Sequence, residues 1–375
     1  MNGKSRRVCL VTRHAIVNYG SYLQTFATVK LIEQLGYEVI VLDYVRKDED
    51  YRNVTDLLLL QSDKWNKNTI RRLIYKIVHV PDHYLSGRAF EKIRNKTLCL
   101  SKRISDIDEQ KNLIPNVDVY CTGSDQVWGE IGNESYDPVY FLSFVDNPYA
   151  KRVAISASFG KITYSTERMD EINEYLKKYT KISVREKSTI DLFESMEIEA
   201  NLTLDPTMIV SNEFWNQYLK KQTSTKKYIL LYQLNTNSEM DKYAQKLSNR
   251  LGMKLIRISM ELYKMSKPGK FKLCLSPFEF LSYVKYAEYV ITDSFHGTAF
   301  AICFNTQFIE ILPPEKQTRN KGILKQLGLE NRIVENLKSF DLVDNPIDYS
   351  SVNDKLRVLR DGSIEVMKEI FKVES

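Results

Sequence analysis

One stretch of the chain, residues 289–302, limits the possible folds most strongly. Tyr289–Thr292 is a short apolar run with β-branched residues, which predicts a buried strand. Asp, Ser and Gly then follow within five positions and predict a turn, and the small apolar run from Thr298 to Phe304 predicts a helix against a sheet. A buried strand that passes directly into a buried helix is typical of an open α/β sheet.

His296 falls at this junction, at the edge of the sheet where α/β proteins bind ligands. An imidazole that titrates near neutral pH, beside the N–H groups that open a helix, suits proton transfer next to an anion. We therefore predict that His296 is catalytic and that Asp293, Ser294 and Gly297 belong to the same site. The same residues also fit a structural histidine that caps its own turn.

The N-terminal residues predict a βαβ unit. Val8–Thr12 and Val39–Asp43 are strand patterns, and Tyr22–Leu35 between them has apolar residues on one helical face. The loop before the helix contains Asn18 and Gly20 but lacks the three-glycine fingerprint of a dinucleotide site. A short loop of Asn, Gly and Ser can still hold an anion or a sugar at the amide end of the helix, so we predict that both residues bind substrate.

A second polar turn follows the strand pattern Val117–Cys121. Ser124, Asp125 and Gln126 supply hydroxyl, carboxylate and amide groups, which are suited to recognising sugar hydroxyls. We predict that Ser124 and Gln126 bind substrate and that Asp125 acts in catalysis. Asp125 fits equally well as a helix N-cap.

Arg185 ends another short apolar strand, so its guanidinium can reach the same edge of the sheet. Arginine binds carboxylate and phosphate groups with two parallel hydrogen bonds, which favours a substrate-binding role. The alternative is a surface ion pair with Glu186 or Asp191.

Two consecutive α/β halves fit within the 375 residues. We expect two Rossmann-like lobes facing a central cleft, residues 1–220 and 221–375, joined by a linker at Gln222–Lys227. We also expect a helical insertion at about 48–111 in the first lobe. It either covers the mouth of the cleft or serves only to pack against the lobe. Residues 352–372 predict a terminal helix that returns to the first lobe.

Composition narrows the class of protein. A mean hydropathy of −0.36 and the absence of any apolar run long enough to span a bilayer predict a soluble protein. Five scattered cysteines without metal-ligand spacing favour the reducing cytoplasm and no structural metal. Residues 45–112 carry fifteen Lys and Arg against ten Asp and Glu, so nearly all of the net charge of +6 lies there. This segment is either a solvated surface or a docking face for phosphates or anionic lipid, and no nucleic-acid module is recognisable.

Six motifs in order resemble the polysaccharide pyruvyl transferase family. They are Asn18–Gln24, Thr122–Trp128, Ser158–Gly160, Ser183–Glu186, Leu204–Thr207 and Asp293–Gly297. The resemblance implies a fold like that of GT-B glycosyltransferases and the use of phosphoenolpyruvate to place a pyruvate ketal across two sugar hydroxyls. It also adds Gln24 to the substrate-binding residues and implies that Arg185 and His296 act at the donor site.

The chain departs from the family at one position. Members carry Arg-Leu-His where this chain has Ser294-Phe295-His296, so either another cation replaces the missing arginine or this chain binds its donor differently. Arg319 and Lys321 are the candidates.

These patterns predict a pyruvyl transferase of surface-polysaccharide synthesis that needs no cofactor or metal. Its partners would be phosphoenolpyruvate and a saccharide or lipid-linked oligosaccharide, with contact at the inner face of the membrane through the basic segment. Two alternatives stay open, a glycosyltransferase that uses a nucleotide sugar and a glycan-binding protein without catalysis.

Overall fold

Two parallel β-sheets organise the computed structural model, which describes residues 6–131, 135–221, 227–312 and 318–372. The strands of the first sheet are β1 (Arg7–Val11), β2 (Glu38–Val41), β3 (Val119–Thr122), β4 (Lys151–Ala157), β5 (Lys181–Val184) and β6 (Asn201–Leu202). Those of the second are β7 (Tyr228–Tyr232), β8 (Lys254–Ser259), β9 (Lys270–Leu273), β10 (Tyr289–Thr292) and β11 (Gln307–Glu310).

Helices cover both sheets. In the first half they are α1 (Tyr19–Gln34), α2 (Tyr51–Leu60), α3 (Thr69–Thr97), α4 (Thr166–Leu176), α5 (Lys187–Ser195), α6 (Pro206–Ile209) and α7 (Asn212–Asn216). In the second half they are α8 (Ser238–Leu251), α9 (Pro277–Lys285), α10 (Phe295–Cys303), α11 (Thr318–Leu327), α12 (Asp341–Asp344) and α13 (Tyr349–Phe371). This arrangement confirms the predicted α/β fold with two lobes.

The strand order creates a crevice in each lobe. The first sheet runs β2-β1-β3-β4-β5-β6 and the second runs β11-β10-β7-β8-β9, with parallel pairing throughout. The order therefore reverses between β1 and β3 in one lobe and between β7 and β10 in the other. At such a reversal the loops that follow the two neighbouring strands run to opposite faces of the sheet. A crevice opens between these loops at the carboxyl ends of the strands.

Helix α1 lies between the two lobes. Thirteen of its sixteen residues are buried, because it packs on its own sheet and on the second lobe. The ring of Tyr19 stacks on Phe280 of α9 with centroids 4.4 Å apart, and Phe26 meets Phe278 edge to face at 5.4 Å. An apolar contact of this kind fixes the lobes against each other.

Local capping explains where two helices begin. The predicted helix at Tyr22 begins earlier, at Tyr19, because the side chain of Asn18 accepts the N–H groups of Gly20 and Ser21. The helix predicted from Thr298 begins at Phe295, because Ser294 caps it.

The insertion after β2 reaches the second lobe. Its helix α3 places the carboxylate of Asp82 3.0 Å from the backbone N–H of Leu262, and the ring of His79 lies 6.1 Å from that of Tyr263. The insertion therefore bridges the two lobes beside the cleft. Within the described residues no helix is long and apolar enough to cross a membrane.

Helix α13 returns to the first lobe. Its last carbonyl, on Phe371, accepts a hydrogen bond from the hydroxyl of Tyr37 at 2.7 Å, and Arg360 donates to the carbonyl of Met208 at 2.9 Å. The predicted linker at 222–227 lies outside the described residues, except for Lys227. Pro313-Pro314, a pair that predicts a break in the chain, also lies outside them.

The sequence patterns missed or misplaced two strands. The edge strand β9 was not predicted, because Lys-Phe-Lys-Leu leaves only two apolar residues for the pattern. The pattern Leu202–Thr207 predicts the end of a strand, but only Asn201 and Leu202 pair with β5, since Asp205 leaves the sheet to cap α6.

Candidate active site

A cavity of about 270 Å³ lies between the lobes where the two crevices face each other. Both lobes contribute to it, with residues that follow β1, β3, β7 and β10 and with residues of α11. Seven of the twelve residues predicted for the site line this cavity: Asn18, Asp125, Gln126, Asp293, Ser294, His296 and Arg319.

His296 is the second residue of α10 and is 7% exposed. The hydroxyl of Ser294 caps the helix by accepting the N–H of Gly297 at 3.3 Å, which fixes the first turn against the cavity. The imidazole lies against the backbone of Gly20 in the first lobe, where a β-carbon would collide with Nδ1 and Cγ. Gly20 therefore makes room for the histidine.

The carboxylate of Asp205 links the histidine to Arg185. Its Oδ1 caps α6 by accepting the N–H of Thr207 at 2.9 Å, while Oδ2 lies 3.7 Å from Nε2 of His296 and forms an ion pair with Arg185. Burial alone would raise the pKa of Asp205, but Arg185 and then His296 lower it well below the usual range. Sequence reasoning gave Asp205 no role in the site, because Asp-Pro after a strand is the ordinary signal of a helix cap.

Arg185 is held by carboxylates of the protein itself. Besides Asp205, its guanidinium lies 3.4 Å from Glu186 and 3.6 Å from Asp125, and its side chain is 3% exposed. It lines a smaller adjoining cavity and not the one that contains His296. These carboxylates neutralise the charge of Arg185. The guanidinium in turn fixes the position of Asp205 beside the histidine.

Asp125 is ionised and strained. Its φ of 80° lies in the left-handed region, and its carboxylate accepts the hydroxyl of Ser21 at 2.6 Å. Burial alone would raise its pKa, but Arg185, His296 and Arg13 lower it to about 2. A carboxylate with so low a pKa is a weak proton acceptor, which favours a role in holding positive charge beside the cavity.

Asp293 anchors the loop that follows β7. Its carboxylate accepts the backbone N–H groups of Leu234 and Asn235 at 2.7 and 2.8 Å and the side-chain amide of Asn235 at 3.0 Å. This loop forms the second-lobe wall of the cavity. Asp293 is thus both a lining residue and the support of its neighbours.

Arg319 lines this site together with Arg13. It lines both cavities, and it has no hydrogen bond or ion pair with any other residue that the structure describes. Its guanidinium lies 5.5 Å from the ring centre of Phe295, and burial, followed by the nearby Arg185, lowers its pKa. Lys321, the other candidate cation, is exposed on the same helix and lines neither cavity.

The remaining predicted residues, Gly20, Gln24, Ser124, Arg185 and Gly297, lie behind the cavity wall. The amide of Gln24 donates to the hydroxyl of Thr12 at 3.1 Å and to the carbonyl of Ser21 at 3.0 Å. Ser124 lies between Arg185 and Asp205, and Gly297 packs on Thr292 where a β-carbon would not fit. Their contacts support the residues that face the cavity.

Glu310, at the carboxyl end of β11, also went unpredicted. Its carboxyl group contacts the hydroxyl of Thr298 and accepts the amide of Asn320 at 2.7 Å, and Asn320 lines the cavity. Burial raises the pKa of Glu310 to about 8. The signal was present in the sequence, because a glutamate inside the apolar run Phe308–Leu312 needs buried partners.

A larger cavity of about 390 Å³ adjoins the first and shares Arg13, Ile16, Asn18 and Leu234 with it. The insertion provides one wall, and the second lobe provides the other. Its further lining residues include Tyr51, Val54, His83 and Ser86 of the insertion and Tyr232, Ser259 and Glu261 of the second lobe. The insertion therefore lines one side of the cleft. Among the described residues no three His, Cys, Asp or Glu side chains are grouped to hold a metal ion.

Comparison with solved structures supports the two-lobe fold. A putative UDP-N-acetylglucosamine 2-epimerase from Listeria monocytogenes matches with a TM-score of 0.53 and 10% identity, over 98% of this chain and 97% of that one. The UDP-GlcNAc 2-epimerase from Neisseria meningitidis, bound to UDP-GlcNAc, matches with a TM-score of 0.51 and 8% identity, over 98% and 99%. At these identities the similarity concerns the fold alone.

Sequence comparison is more specific. None of the curated proteins that were compared matches the chain. The family model for polysaccharide pyruvyl transferase matches residues 18–313, which cover most of both lobes and include the predicted site residues apart from Arg319.

Proposed function

Because the chain belongs to the polysaccharide pyruvyl transferase family, we propose that it transfers a pyruvyl group from phosphoenolpyruvate to two hydroxyls of a saccharide. The observation that carries the proposal is the guanidinium of Arg319, which pairs with no carboxylate among the described residues and lines a cavity that also contains His296. The acceptor would be a saccharide or lipid-linked oligosaccharide of surface-polysaccharide synthesis.

Phosphoenolpyruvate suits this cavity by charge. It carries a carboxylate and a phosphate, and Arg319 together with the N–H groups that open α10 offers positive charge and donors. Burial and the neighbouring Arg185 disfavour the charged form of Arg319, and a bound anion would offset both effects. Arg319 therefore takes the place of the arginine that the family has two residues before His296.

The reaction can be written with the side chains present. His296 gives a proton to the methylene carbon of phosphoenolpyruvate, and a saccharide hydroxyl attacks the adjacent carbon. The carbon–oxygen bond to the phosphate then breaks, and hydrogen phosphate leaves with the proton taken from the first hydroxyl. A second hydroxyl attacks the same carbon to close the ketal, and its proton returns to His296. A positioned general acid contributes on the order of a hundredfold or more to such a step.

The surrounding carboxylates have separate tasks in this scheme. The carboxylate of Asp205, with Oδ2 3.7 Å from Nε2, faces the imidazole of His296 and helps to hold its orientation. Asp293 is the carboxylate we propose to take the proton from the attacking hydroxyl, since the low pKa of Asp125 suits it less. The scheme requires neither a metal ion nor a nucleotide.

We propose that the acceptor binds in the larger cavity, which adjoins the donor cavity. Tyr51 and Tyr232 contribute aromatic side chains to its wall, and Glu261 offers a hydrogen-bond acceptor for sugar hydroxyls. Phosphoenolpyruvate is made in the cytoplasm, so we place the reaction there, at the inner face of the membrane when the acceptor is attached to lipid.

Calorimetric titration with phosphoenolpyruvate and an assay for released phosphate test the proposal. We expect Arg319→Gln to weaken phosphoenolpyruvate binding about tenfold or more, since it removes a charge-assisted contact. The matched control, Lys321→Gln, removes a charge from the exposed side of the same helix and should bind like the unchanged protein.

Two results would contradict the proposal. Thermal stabilisation by nucleotide sugars and not by phosphoenolpyruvate would indicate a glycosyltransferase instead. Binding of saccharides with no phosphate release, across a panel of acceptors, would indicate a glycan-binding protein.

A further inference from the structure

One face of helix α3 is apolar and exposed over four turns. Its side chains are 39–71% exposed. They recur every three or four residues up to Val78 and again two turns further on: Ile70, Leu73, Ile74, Ile77, Val78, Tyr84 and Leu85. Ten of the sixteen exposed large hydrophobic side chains in the described residues fall between Leu58 and Leu85. Such concentration on one face marks an interaction surface rather than scattered surface residues.

The opposite face of α3 already holds the helix on the protein. Asp82 accepts the N–H of Leu262, Phe90 is 1% exposed, and Arg94 donates to the carbonyl of Ala15 at 3.1 Å. The exposed apolar side chains on the other face, called the apolar stripe, therefore take no part in attaching the insertion to the two lobes. It needs a different explanation.

Positive charge lies beside the stripe. Residues 61–80 contain five Lys and Arg but a single Asp. Arg71 and Arg72 are exposed and donate to the backbone carbonyls of Lys64 and Asn66, with no carboxylate partner among the described residues. We call the surface formed by the apolar stripe and by Arg71 and Arg72 the α3 ridge.

Aromatic side chains border the α3 ridge at its N-terminal end. Trp65 is half-buried, its ring lies 5.9 Å from that of Tyr75, and the ammonium of Lys64 lies 5.2 Å from the indole centre. Apolar residues on one face, Lys and Arg beside them, and Trp at the boundary are typical of helices that lie in the interface of a membrane.

We propose that the α3 ridge docks the protein on an anionic lipid surface. Helix α3 would lie in the plane of the interface, with the stripe among the acyl chains and Arg71 and Arg72 among the lipid phosphates. A second copy of the chain fits less well, because a two-fold contact would bring the same unpaired arginines together. Docking does not depend on the proposed reaction, although His83 and Ser86 of α3 line the larger cavity and would place it close to the lipid.

Co-sedimentation with phosphatidylcholine vesicles, with and without phosphatidylglycerol, tests the contribution of the apolar side chains of the α3 ridge to lipid binding. The unchanged protein should sediment with the phosphatidylglycerol vesicles, and salt should weaken the binding. We expect Ile70→Asn/Ile77→Asn to reduce the bound fraction about tenfold or more. Val358→Asn changes a residue that is 69% exposed on α13 and serves as the matched control, which should bind like the unchanged protein.

A second pair of variants tests the charge. Arg71→Gln/Arg72→Gln should weaken binding roughly tenfold at low salt and reduce its dependence on salt. Lys242→Gln/Lys246→Gln removes the same charge from the exposed side of α8 and should leave binding unchanged. Thermal unfolding curves that match the unchanged protein would show that every variant is folded.

Three results would overturn the docking proposal. The first is no binding of the unchanged protein to phosphatidylglycerol vesicles at low salt. The second is equal binding by the α3 variants and their controls. The third is a dimer, seen by light scattering, that Ile70→Asn/Ile77→Asn abolishes while no variant binds vesicles. In that case the α3 ridge would join two copies of the chain and would not bind lipid.

Discussion

Nε2 of His296, in the second lobe, lies 3.7 Å from Oδ2 of Asp205, in the first lobe. The same oxygen pairs with Arg185, so one carboxylate joins a guanidinium and an imidazole across the cleft. The arrangement is possible because α1, between the lobes, presents a glycine to the imidazole. The position of the proposed acid therefore depends on the packing of both lobes.

Replacing His296 with alanine should remove catalysis and keep the fold. The imidazole is the proposed proton donor, so we expect kcat for phosphate release to fall by about a hundredfold or more. Binding of phosphoenolpyruvate, measured by calorimetry, should change much less, because Arg319 and the amides of α10 remain. Turnover close to that of the unchanged protein would refute the role of His296.

Asp205→Asn should destabilise the protein strongly. It leaves Arg185 and His296 beside a neutral amide in a buried site, and breaking a buried pair in this way costs about 3–5 kcal/mol. The free energy of unfolding from urea denaturation measures the effect. Asp191→Asn, which breaks an exposed pair with Lys187, is the control and should cost less than about 1 kcal/mol. Equal losses in the two variants would argue against the buried network.

Gly20→Ala should displace the histidine. The added β-carbon would meet the imidazole, so we expect both a lower melting temperature and a kcat about tenfold or more below that of the unchanged protein. Gly362→Ala is the control, since nothing lies within 4 Å of a β-carbon there and alanine favours the helix by up to about 1 kcal/mol.

A double-mutant cycle separates this collision from other effects of Gly20→Ala. In Gly20→Ala/His296→Ala the imidazole is absent, so the added methyl group should cost little. We expect a favourable coupling energy of about 0.5–3 kcal/mol between the two positions. Additive losses would show that Gly20 and His296 do not constrain each other.

The sequence predicted local units better than it predicted pairs of distant side chains. The strand, turn and helix at 289–302 could be read from neighbouring residues, and the two-lobe fold followed from the repetition of such units. The choice between Arg319 and Lys321 could not be made, because residues two apart on a helix point to different sides and only packing decides which side is inward. The partners of Arg185 were also only partly predicted, since Asp205 lies in another element and reaches the guanidinium only in the folded chain.

Glu310→Gln should make the protein more stable at pH 8 and change the dependence of its stability on pH. Burial raises the pKa of Glu310 from 4.5 to about 8, so the folded chain keeps a proton that the unfolded chain releases. Between these two values the unfolded state binds fewer protons, and the stability of the unchanged protein falls with rising pH by up to about 1.4 kcal/mol per unit. Below pH 4.5 the carboxyl group of Glu310 is protonated in both the folded and the unfolded chain, so its titration causes no loss of stability there.

Glutamine imitates the neutral carboxyl group and can keep the contacts with Thr298 and Asn320. The stability of Glu310→Gln should therefore exceed that of the unchanged protein by on the order of 4 kcal/mol at pH 8, and the difference should shrink towards pH 5. Urea denaturation at a series of pH values measures both curves, and titrations common to the two proteins cancel in the difference. Parallel curves from pH 5 to pH 8 would mean that Glu310 is ionised in the folded chain, with Thr298 and Asn320 holding a buried carboxylate.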